Sequence, residues 1–436
     1  MKWIYVDNFR GFNDQFIPIT DVNFLLGENS TGKSSILALL NLFASTPFWL
    51  HNTFNNNDFE FGNFKDIASV NSTNPKNFRI GLIDCPAKLT KDNKDSIFVS
   101  LMEYIDKDGV PSISRYNYIS ESHAVRVFLS ESNIKYNVDD IKFDGDITKT
   151  VMDKFKHWVK KVPNEERLSI LKLPRQFKKE KTLPFIRSMI DGEMKKDKKH
   201  FSFSLQIPDD LTSLAWIAPI RTKPKRTYDQ FKYTFSPEGD HSPYLVRQIL
   251  KGKNKKYSEA FLDFITKFGK KSGLLSSIGV KKFGKDSSSP FQLEIVLEDK
   301  PLNISSVGYG VSQALPIMIE LFARRKNSFF AIQQPEVHLH PRAQAALGDV
   351  FYFVAQNDNK KLLIETHSDF IIDRFRTNIN KNKKNIDSQV LFFERVGGFN
   401  KVYSIPIHKD GKYDENQPES FRSFFIKEEL DLLRMR

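Results

Sequence analysis

Residues 27–43 read GENSTGKSSILALLNLF, and this stretch decides the fold. Gly27 to Ser34 fits the spacing G-x4-G-K-S, with an apolar strand (Asp21–Leu26) before it and an apolar helix after it. That setting suits a phosphate loop. Glycines let backbone N–H groups converge on phosphate oxygens, and the following helix adds its positive N-terminal dipole. Lys33 supplies a point charge for the outer phosphates, and the Ser34 hydroxyl is placed to ligate Mg²⁺. Gly27, Asn29, Ser30, Thr31, Gly32, Lys33, Ser34 and Ser35 are therefore the candidate nucleotide-binding residues.

Around this loop, Lys2–Val6 and Asp21–Leu26 have strand character, joined by NFRGF and a polar turn. Residues 47–72 are polar and asparagine-rich, which predicts loop. Alternation of apolar and polar residues predicts strands within 78–104 and 113–148. Charge then becomes dense, with KFKHWVKK, RQFKKEK and MKKDKK between 150 and 200 and a second lysine-rich helical stretch over 250–285. From FQLEIVLE (291–298) onward, strands alternate with helices, which predicts a parallel sheet with crossovers. The expected division is 1–148 and 289–436 as two parts of one α/β core, with 149–288 a basic, mainly helical insert.

Composition sets the class of molecule. With 436 residues, 40% hydrophobic and 27% charged, the chain is expected to be globular, with one large domain or two. It contains no run of eighteen apolar residues, and its first residues lack a signal-peptide pattern. The lone Cys85 cannot form an internal disulfide and is expected to be a small buried hydrophobe in a cytoplasmic protein. A net charge of +13 favours polyanionic partners, either nucleic acid or acidic protein.

Three stretches of the last third carry further chemistry. SSVGYGVSQ (305–313) sets small residues before a helix expected to begin near Ser312. Such a turn presents N–H groups to a phosphate, and a simple helix-capping turn has the same composition. AIQQPEVHLHP (331–341) ends a strand where nucleotide hydrolases place carboxylates, yet positions 333 and 334 are amides. His338 and His340 suit a loop better than a metal site. LLIETHSDF (362–370) ends a strand at Thr366-His367, with Ser368 or Asp369 capping the next helix.

Taken in order, these stretches resemble the ABC-type ATPase superfamily. Within it the resemblance is to the prokaryotic overcoming-lysogenization-defect-like and RecF/SMC-like branch. NFRGF (8–12), GENSTGKSS (27–35), FGNFKD (61–66), IAPIRTKPKRTY (217–228), VGYGVSQ (307–313), PEVHLHP (335–341) and ETHSD (365–369) carry it. It implies an α/β ABC-type core, a mixed sheet with helices on both sides, assembled from both chain ends. It also implies ATP and Mg²⁺ as cofactors, and at least a dimer in which Ser306, Gly308 and Gly310 reach the γ-phosphate of the partner's ATP. His367 would be the switch histidine, while Gln333, Gln334 and Glu336 would occupy the hydrolytic turn. Gln333 would stand at the metal site beside Ser34.

Members of the branch commonly carry a glutamate where this chain has Gln333. An amide keeps the size but loses the charge and gains N–H donors that would face a cation or water. Losing such a group lowers the rate by roughly 10²–10⁴-fold. The expectation is an ATPase that binds but hardly turns over, and the isosteric Glu→Gln exchange favours an engineered origin over a natural loss.

The resemblance further implies a stand-alone ATPase of anti-phage systems such as Septu, PARIS, AbiL or retron-linked ones. It would act with a separately encoded nuclease or toxin, triggered by a phage protein or by DNA on the basic insert. The alternative is a RecF/SMC-like DNA-repair clamp, although no sustained heptads are visible. Lys154, Lys156, Lys160, Lys161, Lys178, Lys179, Lys195, Lys196, Lys198 and Lys199 are the candidate contacts to nucleic acid or an acidic protein. The long gap between Lys33 and Ser306 and the absence of a membrane-facing pattern in the insert argue against a transporter subunit.

Overall fold

The alternating segments of the first third build one antiparallel sheet. A computed structural model describes every residue except 56–58, 72–75, 89–96, 121–122, 144–145, 161–167, 174–181, 197–206, 230–231, 287, 385 and 424–436. The chain divides into two compact units. One holds Met1–Thr20, Glu28–Ser213 and Phe393–Ser404; the other holds Asp21–Gly27, Leu214–Phe392 and Ile405–Arg436.

In the first unit, the strands are β1 (Lys2–Asp7), β2 (Gln15–Ile19), β4 (Asn77–Asp84), β5 (Phe98–Lys107), β6 (Val110–Ser120), β7 (His123–Leu129), β8 (Asn133–Asp140) and β9 (Ser169–Lys172). They lie in the order β2-β1-β4-β5-β6-β7-β8-β9 with antiparallel pairing. Helices α1 (Lys33–Ala44), α2 (Thr46–His51), α3 (Phe64–Ile67), α4 (Ile147–Lys160), α5 (Leu183–Lys196) and α6 (Asp209–Thr212) complete it.

Helix α4 shows why the sequence folds this way. Ile147, Val151, Phe155 and Trp158 recur at helical spacing, and all four are buried against Tyr5, Ile83, Val99 and Leu101 of the sheet. The last carbonyls of the helix, orphaned by its ending, accept from sheet arginines. Arg115 donates to Trp158 O and Arg79 to Val159 O, while Arg79 also pairs with Asp7. Burial lowers the Arg115 guanidinium to about 10, against the raising effect of Glu103. Cys85 is buried, as expected.

The second unit is built on β3 (Val22–Gly27), β10 (Ala215–Ile217), β14 (Phe329–Gln333), β15 (Lys361–Glu365) and the start of β16 (Ser388–Val396), while most of β17 (Phe399–Pro406) is counted with the first; the strand order is β10-β14-β15-β3-β16-β17. The pairs β10:β14, β14:β15 and β15:β3 are parallel. Strands β3 and β14 are buried at every position, as parallel strands covered on both faces must be. Strands β11 (Ser277–Lys282), β12 (Phe291–Leu297) and β13 (Lys300–Asn303) form a small antiparallel sheet. The helices are α7 (Ser242–Lys251), α8 (Lys255–Ser272), α9 (Tyr309–Ala323), α10 (Pro341–Asp358) and α11 (Asp369–Asn382). The fold is α/β.

Segment 149–288 contributes to both units. Residues up to Ser213 belong to the first, with β9 among its helices, and those from Leu214 to the second. Ala215–Ile217 is a fully buried edge strand of the six-stranded sheet. Of the candidate contact lysines, Lys154 pairs with Asp139 at 3.1 Å and Lys195 with Asp191 at 2.8 Å. Lys156 lies over the Phe16 ring, Lys160 is exposed, and Lys196 ends α5. Lys161, Lys178, Lys179, Lys198 and Lys199 lie outside the described residues.

Replacing Phe155 by alanine removes the ring that packs on Tyr5 and Phe16 at centroid distances of 5.4 and 5.7 Å. The expected cost is about 3–5 kcal/mol of stability, read as a lower denaturant midpoint at an unchanged slope.

Candidate functional site

The phosphate loop follows β3 directly. Its backbone alternates into the left-handed region, with φ 138° at Gly27, 63° at Ser30 and 94° at Gly32, a pattern that turns successive N–H groups inward. Gly32 is required on two counts. Its φ suits only glycine, and a Cβ there would meet the Phe12 ring at 2.4 Å. Within the loop, Thr31 Oγ1 and Lys33 Nζ both donate to the Glu28 carbonyl, at 2.7 and 2.6 Å. Lys33 is 4% exposed. Asn29, Ser30 and Ser34 are exposed and Ser35 is half-buried.

Helix α1 begins with Gly32 as N-cap, without a side-chain cap and without an acidic residue in its first turn. Its N-terminal dipole is therefore not neutralised by its own side chains.

NFRGF supports this loop from its own unit. Phe9 and Phe12 are fully buried, and the Arg10 carbonyl and Gly11 carbonyl bind the side chain and backbone N–H of Asn400. Arg10 N–H donates to Ile67 O, and its guanidinium donates to Phe61 O and lies over the Phe61 ring. FGNFKD answers with a capping box between Asn63 and Asp66 that starts α3. Arg395 closes the loop from the side by donating to Ser30 O at 3.0 Å.

In the second unit, the signature-like turn runs through a 3-10 turn at Ile304–Ser306 into α9. The helix starts at Tyr309, three residues before the expected Ser312, because Gly308 serves as its N-cap. Gly310 is thus inside the first turn, where a Cβ would meet the His338 carbonyl at 3.0 Å. Tyr309 packs edge-on against the His338 ring, so the turn at 338 braces the start of α9. Ser306 and Gly308 are exposed, and α9 has neither a side-chain cap nor an acid in its first turn.

The carboxyl ends of β14 and β15 hold a polar cluster. Gln333 and Glu365 face each other in register, and Gln333 Nε2 donates to Glu365 Oε2 at 2.9 Å. Gln333 Oε1 accepts from Trp216 Nε1 at 2.9 Å. The amide hydrogens expected to face a cation or water thus face a carboxylate, because the parallel register sets the two strand ends side by side. Gln334 takes φ 41° and donates its N–H to Glu365 O, which turns the chain sharply at Pro335.

Glu336 is bound through both oxygens: Thr366 Oγ1 donates to one at 2.8 Å and His367 N–H to the other at 2.7 Å. The His367 side chain is exposed, and Ser368 caps α11 by accepting from Ile371 N–H.

Four residues of this cluster were not among the candidate site residues: Trp216, and Arg221, Glu365 and Thr366, which lie inside quoted motifs without a role assigned to them. Arg221 is 1% exposed and donates to the carbonyls of Gln333 and Gln334 at 3.0 and 3.4 Å. Its Nε and Nη1 have no partner among the described residues. Burial lowers it to about 10, opposed by the Glu336 carboxylate. Its place inside IAPIRTKPKRTY, one of the stretches that carry the resemblance, was the available signal. No group of three or more His, Cys, Asp or Glu able to hold a metal occurs among the described residues.

Among solved structures, the chain is similar to an SMC head bound to the C-winged helix domain of ScpA, with TM-score 0.46 and 11% identity over 93% of this chain and 98% of that one. An Smc head domain with an extended coiled coil bound to the C-terminal domain of ScpA, from Pyrococcus furiosus, gives 0.43 and 12% over 99% and 100%. The SMC head domain from Thermotoga maritima gives 0.40 and 10% over 92% and 97%. No curated protein matches the sequence. The AAA ATPase domain family matches residues 1–372. With most of its length matched, including every motif set out above, the chain belongs to the AAA ATPase domain family.

Proposed function

We propose that this protein binds ATP with Mg²⁺ on Gly27–Ser34 and hydrolyses it as the control subunit of a prokaryotic anti-phage system. Its effector is a separately encoded nuclease or toxin. The observation that carries the nucleotide reading is the uncapped start of α1, with inward-turned N–H groups and a lysine held at the loop. Ser34 opens the helix with an exposed hydroxyl suited to the Mg²⁺ shell, and the ion supplies charge neutralisation to the phosphates. The defence reading rests on the set of motifs from NFRGF to ETHSD, and the basic stretch within 149–288 is the surface assigned to the trigger or effector. No helix among the described residues is long and apolar enough to cross a membrane.

Lys33→Ala tests the nucleotide site. A charge-assisted hydrogen bond contributes about 1.5–3 kcal/mol, so ATP affinity measured by calorimetry should fall about 10- to 100-fold. Unchanged affinity removes the assignment.

The active unit is at least a dimer in which the exposed turn at Ser306–Gly308 completes the partner's site. Ser306→Arg should abolish the ATP-dependent gain in mass seen by light scattering, while the melting temperature without nucleotide stays unchanged. A wild-type chain that remains monomeric with saturating ATP refutes the dimer.

A further inference from the structure

Helix α8 carries more apolar surface than its core needs. Phe261, Ile265 and Phe268 are buried at helical spacing, yet Tyr257, Ala260 and Phe264 form a second apolar row along its flank. Helix α10 adds Ala346, Val350 and Phe353, spaced i, i+4 and i+7. Phe322, near the end of α9, packs on Tyr257, Phe261 and Phe264 at centroid distances of 5.1, 5.2 and 5.6 Å. Phe264 in turn reaches Phe353 at 6.3 Å. These residues floor an open groove of about 750 Å³ that lies wholly within the second unit. Tyr257 and Phe353 remain 38% and 47% exposed there.

The groove is long. Its wall on α8 runs from Tyr257 to Lys271, about 21 Å at 1.5 Å per residue, the length of about four helical turns.

Its lips are cationic. Lys267, Lys271, Arg324, Arg325, Lys326 and Lys360 line it against three acids, Asp263, Asp349 and Asp358. Those acids are already matched: Asp263 pairs with Lys267, Asp349 with Lys271, and Asp358 with Lys326 and Lys360. Arg325 is exposed and has no acidic partner among the described residues.

We propose that this groove docks an amphipathic helix of a partner protein, its apolar stripe on the aromatic floor and its polar face rich in Asp and Glu. The proposal goes beyond the nucleotide reading and does not rest on it. An elongated apolar groove receives a helix through anchors at i, i+3 or i+4, and i+7. The excess of cations over acids sets the sign of the helix's flanks, because like charges across an interface oppose docking. A second copy of this chain would bring the same cationic lips and a net charge of +13, which disfavours it. Nucleic acid is disfavoured as well. Bases stack on open ring faces, whereas the floor rings lean on one another at interplanar angles between 42° and 63°.

The test uses the full chain and a fluorescent synthetic peptide of about four helical turns. The peptide carries leucine at i, i+4, i+7 and i+11 and glutamate over its other face. A control peptide has lysine for each glutamate. At about 0.15 M salt, fluorescence anisotropy should show micromolar binding of the acidic peptide and no binding of the basic one. Phe353→Ala removes a half-exposed ring from the floor and should weaken binding about 10- to 30-fold. Arg325→Glu reverses an exposed charge without touching the core. It should weaken binding several-fold, and by less as salt rises. Both variants should keep the wild-type ATP affinity.

An acidic peptide that ignores the wild-type chain, or that binds both variants as tightly as wild type, overturns the inference. So does equal binding of the basic peptide. A single-stranded oligonucleotide whose binding is weakened by Phe353→Ala gives the groove to nucleic acid instead. A nucleotide-free dimer that Phe353→Ala dissolves gives it to a second copy, and either result refutes the helix.

Discussion

The parallel register of β14, β15 and β3 is the constraint on which the second unit depends. Gln333 pairs with Glu365, and Glu365 with Leu25, so the three strands end level with one another. Phe329–Ile332 and Leu362–Ile364 are buried and apolar until the last residue, because strands covered on both faces have no room for polar groups. Chemistry is thus confined to the strand ends and the turns that follow them. Arg221 reinforces this edge by donating to the carbonyls of Gln333 and Gln334, where the chain bends through a left-handed residue. A buried guanidinium on two main-chain carbonyls holds the turn without adding a second carboxylate to it.

Reading residue 333 alone as a loss of chemistry overlooks its partner. Carboxylate and amide are nearly the same size, and what separates them is whether the neighbouring atom is a donor or an acceptor. With Trp216 donating from one side and Glu365 accepting from the other, the site asks for one acceptor and one donor on the same planar group. Only an amide meets both demands at neutral pH.

Local signals were legible from sequence alone, and register was not. The phosphate loop, the strand at 329–332, the helix after Pro341 and the cap at Ser368 all follow from spacing within a dozen residues. The start of α9 fell three residues off because two glycines suggested an extended turn, while tight packing against the His338 carbonyl lets Gly310 sit inside the helix. Trp216 and Glu365, the latter inside the quoted ETHSD, were given no role because each acquires its meaning from a partner far along the chain. They lie 117 and 32 residues from Gln333. The three buried residues Ala215–Ile217 are too few for a periodic pattern, so the edge strand they form was hidden within a basic stretch.

The helix starts of this chain differ in how they are capped. Helix α11 opens with Ser368 accepting from Ile371 N–H and with Asp369 in its first turn, so its positive end is satisfied internally. Helix α10 opens with the His340 ring accepting from Arg342 N–H. Helices α1 and α9 begin instead at Gly32 and Gly308, with no side-chain cap and no acid nearby, although an N-cap serine or aspartate commonly contributes about 1 kcal/mol. Helices α2 and α7 also begin with neither a side-chain cap nor an acid in the first turn, so a bare start alone does not mark an anion site; at α1 the glycine loop is what sets it apart. In the first unit, Phe12 and Asn400 crowd Gly32 so closely that no side chain fits there. The loop keeps its shape through packing behind it.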